Sequence, residues 1–197
     1  MRHAATALLA FLLTNGVAGA QAPSPVALSI DTSLGTIEVA LDPARAPNTV
    51  ANFLRYVDAG FYDGAMFYRT VTASNQPDNA VKIAVIQGGV DGSRPAFDPI
   101  RIERTSETGL RHVDGAISMA RNGPDTATTE FFFCVGDQPE LDFGGRRNPD
   151  GQGFAAFGRV TAGWDVIKRI HESPVTAQRL TPPVVIRRIV RSGAPTK

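Results

Sequence analysis

Gly115-Ala116-Ile117-Ser118-Met119-Ala120-Arg121-Asn122-Gly123-Pro124 leads, across four small or polar residues, into Thr129-Glu130-Phe131-Phe132-Phe133-Cys134-Val135. Two apolar segments of strand length flank a stretch of turn formers. The pattern predicts strands over residues 115–119 and 130–135, with residues 121–129 as the loop between them. Working outward, the same grammar recurs. Residues 26–41 alternate apolar and polar and break at Thr32-Ser33-Leu34-Gly35, which reads as two strands joined by a tight turn. Residues 61–89 read as strands around a polar insertion, Thr72 to Asn79, and the apolar run Ile83-Ala84-Val85-Ile86 ends at Gln87-Gly88-Gly89. Residues 154–160 and 184–190 complete the strand set. Helix periodicity occurs twice. Pro47 stands at a first helical position before Val50, Phe53, Leu54 and Val57, with Gly60 as the stop. Residues 161–170 form the second helix, with Trp164, Ile167 and Ile170 facing inward. Many strands with two helices predict a small barrel or a sandwich with covered ends.

The rest of the chain limits what this fold can do. Its 197 residues suit one domain, and 20 basic against 19 acidic residues leave a formal charge of +1, which favours neither nucleic acid nor anionic lipid as a partner. Arg2 and His3, the apolar run Ala4 to Leu13 and the small residues Val17-Ala18-Gly19-Ala20 predict a signal peptide over residues 1–20, cleaved after Ala20 or Ala22. Residues 21–25 are then a short lead-in, 26–191 the folded domain and 192–197 a C-terminal tail. Cleavage would leave no stable membrane insertion, and the expected address is the periplasm, with simple secretion as the alternative. The single cysteine, Cys134, cannot close an internal disulfide and reads as a buried, inert thiol. His112 and His171 have no metal-ligand spacing and read as surface or structural residues. No nucleophile elbow surrounds any serine, and Gly144-Gly145 and Gly151-Gln152-Gly153 lack the lysine of a phosphate loop. Neither a metal nor a cofactor is expected. Asn148-Pro149-Asp150-Gly151 predicts a turn inside the long polar segment 141–153.

What remains is a set of polar residues set into apolar segments: Phe67-x-Arg69, Gln87-Gly88-Gly89, Met119-Ala120, Gly123-Pro124, Phe131-Phe132, Leu141-Asp142 and Phe157-Gly158. Each alone has a bland structural reading. In this order and spacing, over residues 26–190, they resemble the cyclophilins.

The resemblance implies a closed eight-stranded antiparallel β-barrel capped by two α-helices. It also implies a peptidyl-prolyl cis-trans isomerase acting on proline-containing polypeptides, expected to be a monomer. Arg69 matches the family's catalytic arginine, and Gln87 the glutamine that bonds substrate backbone and helps fix it. Phe67, Phe132 and Leu141 match pocket residues. Ala120 and Arg121 match the strand edge that pairs with the substrate, although Arg121 stands where many members carry asparagine. Ala84 falls where many members have an aromatic at the pocket floor, Val85 replaces a common methionine, and Phe154 stands at a frequent histidine. Glu140 occupies a position where eukaryotic members often carry tryptophan, which implies weak inhibition by cyclosporin. The alternative on the same barrel is a non-catalytic proline-peptide-binding or chaperone module.

Overall fold

The alternating segment at the start folds as an antiparallel pair, β1 (Val26–Thr32) and β2 (Gly35–Leu41). A computed structural model describes residues 22–90 and 96–192. The expected signal peptide, and the tail beyond Ser192, lie outside the described residues. The remaining strands are β3 (Met66–Val71), β4 (Val85–Gly89), β5 (Ala116–Met119), β6 (Phe131–Cys134), β7 (Ala155–Ala162), the two-residue β8 (Val175–Thr176) and the long β9 (Arg179–Arg191). Their order is β1-β2-β7-β5-β6-β4-β3-β9, and β9 pairs back onto β1, so eight antiparallel strands close a barrel; β8 hangs on β9 outside the ring. Closure decides the choice between barrel and sandwich, and it leaves no long unpaired edge.

The three consecutive phenylalanines show how a strand serves two layers. Side chains alternate across a strand, so Phe131 and Phe133 enter the barrel core with Phe53, Phe67 and Phe157, whereas Phe132 joins a second cluster on the outer face with Val71, Val85, Cys134 and Leu141. The helices α1 (Pro47–Asp58) and α3 (Trp164–His171) send Val50, Phe53, Tyr56, Ile167 and Ile170 into the same interior cluster. Helix α1 begins at Pro47 as expected. No side chain caps it locally; the buried Glu103, from a distant loop, accepts from the backbone N–H of Asn48 at 3.1 Å and of Thr49 at 2.8 Å. A carboxylate there satisfies two orphan donors and complements the helix dipole. Helix α3 starts later than the periodicity suggested, because Thr161 and Ala162 still belong to β7. Trp164 covers Gly115, whose φ of +77° and closeness to the indole, 2.4 Å from where a Cβ would stand, both demand glycine.

Two further differences from the sequence reading have clear causes. A single extra helical turn, α2 (Thr105–Thr108), lies in the loop before β5; four residues carry no periodicity to read. The final strand begins at Arg179 rather than Val184, running through Pro182 and Pro183. Those prolines fall where β9 has no partner on β3, between the pairs Phe67↔Val184 and Arg69↔Arg179, so no ladder hydrogen bond is lost.

Candidate active site

On β3, Phe67 pairs with Gly88 of β4, but the next pair is Arg69↔Gln87: two residues on one strand oppose one on the other. This bulge at Tyr68 reverses the alternation. In an unbroken strand Arg69 would share the face of Phe67 and point into the barrel. Instead it emerges on the outer face with Val71. Glycine at position 88 permits the close approach, since a Cβ there would stand 2.7 Å from the Met66 carbonyl oxygen. The shift also corrects one expectation. Phe67 is fully buried inside the barrel against Phe131 and Phe133 and does not line the site.

On the outer face a row of registered partners crosses four strands: Arg69, Gln87, Phe132 and Ser118. The guanidinium is held from two sides. Nη1 donates to Gln87 Oε1 at 2.7 Å, while Nε and Nη2 donate to Gln178 Oε1 at 2.9 and 2.6 Å. Gln178, in the turn between β8 and β9, is itself tied by its amide nitrogen to the Asn75 carbonyl at 3.0 Å. An arginine carries five N–H donors, so among the described residues three are engaged in its plane and two remain. Burial lowers the Arg69 pKa, opposed by the nearby Tyr68 and Glu130; arginine nevertheless keeps its charge at any ordinary pH. The amide of Gln87 has a defined orientation, because Nε2 donates to Tyr68 Oη at 2.8 Å and to Glu130 Oε2 at 2.6 Å. Burial and the hydrogen bond to Glu130 push the Tyr68 phenol far above its ordinary value, so it is a permanent donor to that carboxylate.

Beside this guanidinium lies a cavity of about 260 Å³. Phe132, Leu141, Val85 and Phe154 give it apolar walls, with Arg69 and Gln87 at one side and Ala120 and Arg121 along another. Eight of the ten residues expected at a site thus come together. Ala84 does not; Ile83 lines the cavity in its place. Ile83, Val85 and Gln87 share one face at period two, so the alternation itself pointed to Ile83. Arg121 is spent on structure. Its guanidinium makes two bonds to Asp150, at 2.7 and 2.9 Å, its Nε donates to the Gly153 carbonyl, and it lies 5.1 Å from the Phe154 ring. It thereby braces the long loop whose expected turn forms, with Gly151 N–H on the Asn148 carbonyl.

Phe132 is supported from behind. The His112 ring stacks on it at 5.9 Å, and Phe154 meets it edge-on at 5.4 Å. His112, only 1% exposed, is not a surface residue: its Nδ1–H reaches Asp142 at 2.8 Å and its Nε2 lies 2.9 Å from Ser118 Oγ. Serine, histidine and aspartate in a line resemble a hydrolase triad. Ser118 is wholly buried, however, and no carbonyl can approach it. The line is a brace. Burial raises the Asp142 pKa, but the hydrogen bonds from the ring and backbone of His112 outweigh this and hold it below the usual carboxylate value. Cys134 is buried and its thiol is pushed far up by desolvation, which makes it inert as expected.

The barrel and this site define a class of protein, and comparison with known proteins agrees. Residues 27–191 match the model of the cyclophilin type peptidyl-prolyl cis-trans isomerase family, and the chain belongs to that family. It is 37% identical over 147 residues to peptidyl-prolyl cis-trans isomerase A of Dickeya dadantii, covering 73% of this chain and 70% of that one. It is 38% identical over 148 residues to the isomerase cyp18 of Streptomyces antibioticus, covering 73% and 81%. A crystal structure of a Cryptosporidium parvum cyclophilin type isomerase superposes with a TM-score of 0.70 at 20% identity, over 87% of this chain and 99% of that chain, which supports the fold.

Proposed function

We propose that this chain catalyses rotation about X-Pro bonds of exported polypeptides, with Arg69 as the donor that recognises the twisted state. Resonance gives the amide a rotation barrier of about 18–20 kcal/mol. At the top of that barrier the proline nitrogen is pyramidal and carries a lone pair that the planar amide withholds. A donor bonded to that lone pair stabilises the transition state more than the ground state, and this difference is catalysis without nucleophile or proton transfer. The observation that carries the reading is a guanidinium fixed by two glutamine oxygens beside an apolar cavity, with two N–H groups unspent. The cavity walls Phe132, Leu141, Val85 and Phe154 would hold the proline ring. The backbone at Ala120 and Arg121 would pair with the peptide. Gln87, whose amide protons serve Tyr68 and Glu130, acts in this reading chiefly by aiming Arg69.

A protease-coupled proline assay on the mature chain tests this. Wild type should accelerate cis-to-trans conversion, and Arg69→Ala should lose about a hundred- to a thousandfold of it, the range for removing one transition-state donor. Equal rates for the two proteins would refute the mechanism; peptide binding without turnover in either would favour the non-catalytic module. Export rests on the N-terminal pattern, and no helix among the described residues is long and apolar enough to cross a membrane. Mass measurement of the protein recovered from the periplasmic fraction should show loss of residues 1–20 or 1–22; an intact N-terminus in the cytoplasm would remove that part. The near-neutral charge supports a protein without nucleic-acid partners, and we read it as a monomer.

A further inference from the structure

The two segments that the barrel does not require, residues 72–79 and 144–153, meet at one side chain. Arg146 and Arg147 are consecutive but diverge. Arg146 turns outward and pairs with Glu140 at 2.8 Å, on the surface. The backbone N–H of Arg147 is held by the Glu140 carbonyl, and its side chain turns inward to line the same cavity as Arg69. There Nη1 donates to Gln76 Oε1 at 2.9 Å and to the Val81 carbonyl at 2.7 Å. Gln76 is 2% exposed and is anchored by its own amide nitrogen to the carbonyls of Thr72 and Ile83, so the support is rigid.

Among the described residues every anchor of Arg147 is neutral. Three arginines line this cavity, and only Arg121 is neutralised there, by Asp150. Among the described residues neither Arg69 nor Arg147 makes an ion pair. Glu130 opposes the charge of Arg69 from beyond Gln87 but does not line this cavity. Burial and the like charge of Arg69 lower the Arg147 pKa, as expected for two cations facing one space. Holding a second cation there costs free energy unless something negative is meant to arrive.

We propose that Arg147 is a specificity-determining residue that makes the site favour prolyl bonds flanked by an acidic side chain. This rests on the isomerase reading above and names its substrate class. The two extra segments are then the mount that presents Arg147.

Acetylated, amidated hexapeptides sharing one Ala-Pro bond, with Glu, Gln or Lys at each flanking position in turn, supply the test by exchange NMR. At low ionic strength at least one position should favour Glu over Gln by about fivefold in kcat/KM, the size of one partly exposed ion pair, with Lys poorest. The ratio should collapse in about 1 M salt, where screening acts within about 3 Å. It should fall to near one in Arg147→Gln and survive in Arg147→Lys. Equal wild-type rates for Glu and Gln peptides at every position would overturn the inference, as would a ratio unchanged in Arg147→Gln. If that variant misfolds, the salt dependence of wild type and the Arg147→Lys ratio decide. Turnover without charge discrimination removes this inference alone. No turnover of any peptide removes the isomerase reading, and this inference with it.

Discussion

The two faces of β3, β4 and β6 are built from one stretch of backbone and follow opposite rules. Inward, Phe67, Ile86, Phe131 and Phe133 belong to the apolar core cluster, the three phenylalanine rings lying 5.6 to 6.1 Å from one another. Outward, Arg69, Gln87 and Phe132 sit in a row whose polar groups are tied to named partners, two N–H groups of Arg69 aside. The inner face is defined by volume, and many apolar residues of the right size would serve there. The outer face is defined by direction, and its groups are held by hydrogen bonds whose partners come from Tyr68, Glu130, Asn75 and Gln178. The contrast teaches that stability and chemistry in this barrel are separable by side of the strand, one residue apart.

That separation can be broken experimentally. Phe131→Ala should cost about 3–5 kcal/mol of stability, seen as a lower denaturant midpoint, with the kcat of the protein that remains folded changed little. If kcat collapsed while stability held, the two faces would not be separable. Arg69→Lys retains charge on the outer face but loses the fork that two glutamine oxygens grip. It should lower kcat by about a hundredfold, the scale of a misplaced reacting group, with thermal stability nearly unchanged. Gln178→Leu keeps the volume and removes one anchor. A loss of about tenfold in kcat with KM within about twofold is expected from a hydrogen bond to a charged group, and a change confined to KM would count against positioning.

The smallest effect concerns pH. Asp142 has a pKa held below its unfolded value by His112. Its contribution to stability is therefore complete above the unfolded carboxylate pKa of about 3.9 and is lost as pH falls through the lower folded value. Asp142→Asn should destabilise the protein by about 1–2 kcal/mol at neutral pH, and the gap to wild type should close under acid. A gap that widened below pH of about 3.9 would contradict the sign.

Much of this organisation was legible in the sequence. Helix α1, the strand periods and the ordered motifs are local signals, and Arg69, Gln87, Phe132 and Leu141 were found through them. The misses share a cause. Phe67 was placed in the pocket by its match to the family motif, and no residue type announces the bulge at Tyr68 that puts Phe67 and Arg69 on opposite faces. Gln178 reaches Arg69 from 109 residues away and Glu103 caps α1 from 54 to 55 residues away. Such partners are chosen by barrel closure, which no window of sequence contains. His112 looked isolated for the same reason, since Asp142 lies 30 residues beyond it.

The single unpaired position on β3 acts as a frameshift written in backbone. Were Tyr68 paired like its neighbours, parity alone would rotate Arg69 into the hydrocarbon interior and strand a cation there, leaving the outer row without its head. The count of residues in one short strand, rather than the identity of any of them, decides on which side of the wall the positive charge is delivered.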